Sequence, residues 1–185
     1  NMNAIAGRRM AETVTRRGGI VVLPQDMPLA RVAEVVCYVK MRHHVFDTPV
    51  MLDENESVQT ALNLIYKRAH GAILIVDKEE KPLGIFTEYD GRDRDRFTRL
   101  HDVMSQDIIT LPATATPRQI FETMRLHRIS VIPILALDGT LEGVVTHKGI
   151  LRSAMYEPAL NSSGEMITAV AVGINKNVGE YVSEL

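Results

Sequence analysis

A single cysteine, Cys37, leaves this chain without the material for a disulfide framework, and a reducing cytoplasm is the compartment that suits it. No apolar run approaches the roughly 20 residues that a spanning helix needs, so no membrane partner is expected. Neither sign of charge dominates: the formal net charge is −2. Without a basic excess, nucleic acid is not an expected partner. The opening residues, Asn1 to Arg9, lack the order of a signal peptide. There is no Walker-type loop, nor a Gly-x-Gly-x-x-Gly after a strand. None of the six histidines (His43, His44, His70, His101, His127, His147) has zinc-like spacing to Cys37 or to another histidine on one helix face, so no metal site is expected.

What the chain does have is a repeat. Gly84-Ile85-Phe86-Thr87-Glu88-Tyr89-Asp90 follows an apolar run, Ala72 to Val76. Fifty-nine positions on, Gly143-Val144-Val145-Thr146-His147-Lys148-Gly149 follows Val131 to Leu135. At the same offset Val50-Met51-Leu52 lies over Ile109-Thr110-Leu111, Ala61-Leu62 over Ile120-Phe121, and Ile65 over Met124. Each unit reads strand, helix, strand, strand, helix. Val58, Ala61, Leu62, Ile65 and Ala69 share one helical face, as do Pro117, Ile120, Phe121 and Met124. Thr116-Pro117-Arg118-Gln119 is a capping box with Pro at the first helical position. The Ile- and Val-rich runs are too short for helices and predict strands.

A 59-residue repeat whose strand ends in Gly-apolar-apolar-Thr-x-x-Asp resembles a pair of CBS domains, a Bateman module. The resemblance implies an adenine or guanine nucleotide (ATP, GTP, GDP or similar) as partner. In that family the Asp accepts from ribose hydroxyls and the Thr lies by the phosphates, which carries over here to Thr87 and Asp90. The second unit keeps Thr146 but has Gly149 in the place of the acid, a departure that leaves one well-formed ribose site expected. The residues themselves fit such chemistry, because a carboxylate accepts two hydroxyls and a helix N-terminus offers N–H groups to phosphate. Thr87-x-x-Asp90 fits a plain helix cap as well. Arg68, His70, Arg125, His127 and Arg128, at the helix-to-strand turns, and Lys148, beside Thr146, are candidates for phosphate or base contact. They also fit solvent-facing helix-end cations.

The flanks belong to neither repeat. A helix over residues 9–17, stopped by Gly18-Gly19, leads into a strand, Ile20-Val21-Val22-Leu23, and a second helix runs from about Pro28 to Lys40 with the stripe Leu29, Val32, Ala33, Val36 and Val39. Cys37 lies beside that stripe and is expected to be a small core hydrophobe. Arg92-Asp93-Arg94-Asp95-Arg96 reads as a solvated loop, and residues 156–167 as a turn between two short strands. With the tail Ala169-Val170-Ala171-Val172-Gly173, these flanks resemble the barrel segments that bracket the CBS pair in the IMP dehydrogenase and GMP reductase family. Met2-Asn3 and Pro24-Gln25-Asp26 depart from the commoner pattern and place the chain in a divergent, actinobacterial-like branch.

The expected fold is therefore α+β, a tandem CBS-domain pair of β-α-β-β-α repeats flanked by incomplete pieces of a (β/α)8 barrel. Its expected divisions are a barrel fragment and lead-in helix over 1–46, repeats over 47–101 and 102–156, and a second barrel fragment over 157–185. What the resemblance implies is a regulatory purine-nucleotide module of an IMP dehydrogenase-like enzyme of guanine nucleotide biosynthesis, with a GMP reductase-like parent as the alternative. A homo-oligomer formed through CBS faces is expected, and a mainly structural or oligomerisation role without ligand is a further alternative. No Gly-Ser-x-Cys-Thr-like loop is present, so no catalytic residue is assigned and the chain is expected to be inert alone. NAD or NADP would serve the parent enzyme, with no cofactor in this stretch.

Overall fold

The computed structural model describes residues 5–173 and 178–183. The chain divides into two compact units, one made of residues 1–45 and 151–185 and the other of residues 46–150. Among the described residues no helix is long and apolar enough to cross a membrane.

The first unit carries α1 (Arg8–Thr15), β1 (Val22–Leu23) and α2 (Leu29–Lys40). α1 ends earlier than the basic run predicts, since Arg16 already caps it. Val32, Val35 and Val39 of α2 are fully buried with Ala11, Leu23 and Met166. Cys37 is exposed, contrary to expectation. The buried stripe runs through Val35, and that rotation turns Cys37 outward. After the second unit the chain returns through a bridge between Leu160 and Met166, with the Asn161 side chain accepting from the amides of Ser163 and Glu165. This is the expected turn between extended segments.

Near the C-terminal end of the returning chain β1 pairs in parallel with a further short strand, Val22 opposite Ala169 and Leu23 opposite Val170. Parallel strands brought together by a long connection are what two neighbouring barrel strands present.

One side chain of this unit gives it a pH dependence. Burial, with help from His44 and Arg16, pushes the His43 imidazole down to about 4. The geometry agrees, because His43 Nδ1 accepts from the Val45 amide at 3.0 Å and needs its lone pair to do so. A histidine whose folded pKa lies below its unfolded 6.5 contributes its full stability above pH 6.5 and loses it as the pH falls towards 4. The upper bound is about 3 kcal/mol, and partial exposure of the ring discounts this to about 1–2 kcal/mol. Denaturant midpoints should fall between pH 7 and pH 5, and the fall should flatten in His43→Gln. An equal fall in the variant would assign it to other groups.

The second unit, which ends at Ile150, holds both repeats apart from the last residues of the final helix. The first consists of β2 (Met51–Asp53), α3 (Val58–Ile65), β3 (Ala72–Val76) and β4 (Pro82–Thr87). The second consists of β5 (Leu111–Pro112), α4 (Pro117–His127), β6 (Val131–Leu135), β7 (Leu141–Thr146) and α5 (His147–Met155). Each sheet has the order first, second, third strand, with a parallel pair and then an antiparallel hairpin. Ser57 caps α3 by accepting from the Thr60 amide, and Thr116 and Gln119 form the expected capping box on α4.

β3 is buried along its whole length because both of its faces are covered. Ile73 and Ile75 pack under α3 with Val58, Ala61, Ile65 and Phe86. Ala72, Leu74 and Val76 pack against Val131, Leu141 and Val144 of the second sheet. The repeats thus meet sheet to sheet, and a strand buried on both faces reads as an unbroken apolar run.

Three details differ from the sequence reading. α3 stops at Ile65, leaving Ala69 exposed in the turn that follows. Phe121 is 47 % exposed and sets its ring edge-on to His147, 5.7 Å away, rather than entering the core. The helix expected after β4 does not form, and residues 88–93 are a turn. The local sequence explains this last difference. Asp93 adopts φ +57°, and the alternating charges that follow provide no apolar stripe for packing. That charged loop is exposed, as expected, over residues 92–97.

Candidate functional site

The two repeats interlock through the segments that lead into them. Ser105, which precedes the second repeat, bridges to Ile85 of β4, and the two exchange backbone bonds of 2.9 and 3.0 Å. Asp47, which precedes the first repeat, bridges to Val144 of β7 through two bonds of 2.9 Å. The motif glycines make these crossings possible. A Cβ on Gly84 would lie 2.6 Å from Met104 Sδ and 2.9 Å from the Ser105 carbonyl, and one on Gly143 would lie 2.7 Å from Phe46 Cβ. Each Thr-containing strand end therefore faces a segment entering the other repeat.

In the first repeat Thr87 ends β4, and both its amide and its hydroxyl donate to Asp90 Oδ2 at 2.7 Å. Both bonds go to one oxygen, and Oδ1 has the acceptor capacity that a pair of ribose hydroxyls needs. Asp90 is half-buried, held by a turn whose Gly91 lies against Phe86. Tyr66, hydrogen-bonded to Glu88, has its phenol pKa raised chiefly by that bond. Arg92 packs over the Tyr89 ring at 5.7 Å.

In the second repeat Thr146 ends β7, and its hydroxyl accepts from the Gly149 amide at 3.0 Å. Lys148 is exposed on the first turn of α5. His70, in the turn between α3 and β3, belongs on this side of the unit. Burial lowers its pKa, while Asp47 pulls it the other way and Arg68 adds to the lowering. Its Nε2 is buried without a hydrogen-bond partner among the described residues.

His127 is the last residue of α4 and Arg128 its left-handed cap at φ +56°; both are exposed, and Arg125 is exposed one turn earlier. Thus the fold brings Thr87 together with Asp90, and His70 together with Arg68 and Asp47. Asp47 is the residue that sequence reasoning missed.

A separate cleft of about 520 Å³ is lined by Pro112, Thr114, Leu135, Leu137, Asp138 and Glu142, among others. No Lys, Arg or His lines it. Its acids are set against phosphate, so the Thr-bearing strand ends are the better candidate for an anionic ligand.

Paired sheet-helix repeats, interlocked lead-in segments and a Thr at the end of each third strand define a tandem CBS architecture. The CBS-domain family model matches residues 38–93 and 100–156, and the chain belongs to that family. It is also homologous to GMP reductase and IMP dehydrogenase. It is 46 % identical over 179 residues to a GMP reductase of Mycobacterium tuberculosis, covering 97 % of this chain and 37 % of the relative. It is 30 % identical over 188 residues to an inosine-5'-monophosphate dehydrogenase of Halalkalibacterium halodurans, covering 100 % of this chain and 39 % of the relative. The chain thus spans less than two-fifths of the length of these curated relatives.

The mycobacterial match fits the actinobacterial-like branch. In fold the chain is similar to the crystal structure of a GMP reductase from Trypanosoma brucei in complex with guanosine 5'-triphosphate. That match has a TM-score of 0.70 and 24 % identity, and covers 100 % of this chain and 46 % of the other.

Proposed function

We propose that this chain is the nucleotide-sensing CBS module of a cytoplasmic GMP reductase-type enzyme, and that it binds a purine nucleotide through Thr87 and Asp90. The observation that carries the binding reading is the Asp90 carboxylate, held at one oxygen by the Thr87 amide and hydroxyl. The higher identity to a GMP reductase, 46 % against 30 % for the dehydrogenase, favours a parent that reduces GMP over one that oxidises IMP. The nicotinamide cofactor, NAD or NADP, would serve the parent's barrel, and this module would have no turnover of its own. Nucleotide binding here biases the parent only if affinity differs between two of its states.

A thermal-shift series with ATP, ADP, AMP, GTP and GDP tests the reading, since a ligand selective for the folded state raises the midpoint by mass action. One purine set should shift the midpoint by several degrees at millimolar ligand. Asp90→Ala should weaken that binding about tenfold or more, the loss of a charged acceptor to hydroxyls. Unchanged affinity in the variant would return Thr87 and Asp90 to a turn-capping role.

A further inference from the structure

The two repeats each place one carboxylate beside the motif threonine, but the two carboxylates come from different arms of the chain. In the first repeat it is Asp90, three residues after Thr87. In the second repeat Gly149 stands at that position. A Cβ built on Gly149 would lie 2.9 Å from Asp47 Oδ2 and 3.3 Å from Thr146 Oγ1. The Asp47 carboxylate therefore stands beside the space that a side chain at 149 would enter.

The backbone pairings identify the counterpart of Asp47. Asp47 bridges to Val144 as Ser105 bridges to Ile85, and Phe46 abuts Gly143 as Met104 abuts Gly84. Where one repeat combines a motif-loop acid with a crossing serine, the other combines a motif-loop glycine with a crossing acid.

We infer that Asp47 supplies the ribose-binding carboxylate of a second nucleotide cleft, in place of the acid missing at Gly149, so that the module has two clefts. The inference rests on the nucleotide reading above and deepens it. Three features of the site agree with it. Gly149 is buried and has no left-handed φ that would demand glycine, so what its missing Cβ accommodates is the Asp47 carboxylate. Thr146 keeps its hydroxyl at the strand end, as Thr87 does. His70 lies close enough to feel the Asp47 charge, and its buried Nε2 finds no partner among the described residues, which suits a group that meets a ligand. Asp47 thus sets the number of sites, a property invisible in the second motif itself.

Isothermal titration of the whole chain with ATP, ADP, GTP and GDP decides the matter. Asp90→Ala should weaken one binding event about tenfold or more and leave another unmoved. In that background Asp47→Asn should weaken the remaining event about tenfold or more. Asparagine keeps the size and most of the hydrogen bonding, so the ligand-free melting midpoint serves as the check on folding. The double exchange Asp47→Ser with Gly149→Asp moves the acid back into the motif loop and should restore the event. Two outcomes would overturn the inference while sparing the nucleotide reading. One is loss of all binding in Asp90→Ala, and the other is a second event unmoved by Asp47→Asn. A wild-type chain that binds none of the four nucleotides would overturn both.

Discussion

Arg16→Ala is expected to cost the first unit about 3–5 kcal/mol, the loss that follows when one partner of a buried ion pair is removed. Arg16 and Glu12 are 3 % and 0 % exposed, one helical turn apart, with Arg16 Nη1 at 3.3 Å from Glu12 Oε2. Arg16 also donates from Nε to the His43 carbonyl at 3.1 Å, so it ties the end of α1 to the stretch beyond α2. Alanine leaves the Glu12 carboxylate in a dry site without its guanidinium and leaves the His43 carbonyl without that donor. Denaturant unfolding followed by limited proteolysis should show cleavage of the flanks at denaturant concentrations where the CBS pair is intact. Removing both charges, as Glu12→Leu with Arg16→Met, should recover most of the loss, because the cost lies in the orphaned charge more than in the missing attraction. Equal losses in the single and double variants would contradict that account.

Phe86→Ala is expected to destabilise the second unit by about 3–5 kcal/mol, the range for deleting a fully buried aromatic ring. Phe86 packs with Ile73, Ile75, Ile65 and Leu100 beneath α3. It also has a local task. A Cβ on Gly91 would come within 3.0 Å of Phe86 Cζ, so the turn that presents Asp90 rests on this ring. Loss of the ring should therefore weaken nucleotide binding beyond what the unfolded fraction explains. Phe86→Leu, which keeps most of the volume, should cost less than half as much stability. Calorimetry with and without nucleotide separates the two effects. A variant that melts early yet binds with full affinity once folded would limit Phe86 to the core.

The repeat, its strands and its capping box are legible because they are local. Apolar runs such as Ile73-Leu74-Ile75 admit one reading once the length is set, and Thr116 to Gln119 is a cap by chemistry alone. The barrel flanks were legible as pattern, and β1 pairing with Val22 opposite Ala169 gives that pattern its geometry. What failed depended on neighbours. A stripe on α2 that runs through Val36 predicts Cys37 beside the core, whereas packing selects Val35 and leaves Cys37 exposed. The pattern of strand then Thr predicts a helix after both Thr87 and Thr146, but α5 has Ile150 to bury and residues 88–93 have no such anchor. Asp47 was missed for a related reason. Aligned at 59 it faces Gln106, while the crossing segments align at 58, and only the bridges to Val144 and Ile85 reveal that slip.

The nearness of Asp47 to Gly149 also bears on how an inserted module can be tolerated at all. These residues lie close to the points where the chain enters and leaves the pair of repeats. Once folded, the pair presents its two ends side by side, as a tight turn does. The strands at Val22 and Ala169, far apart in the sequence, then meet across a junction of short effective length. The entropy of closing that loop falls to what a brief linker would cost. Folding should accordingly run from the middle outwards, with the flanks pairing last.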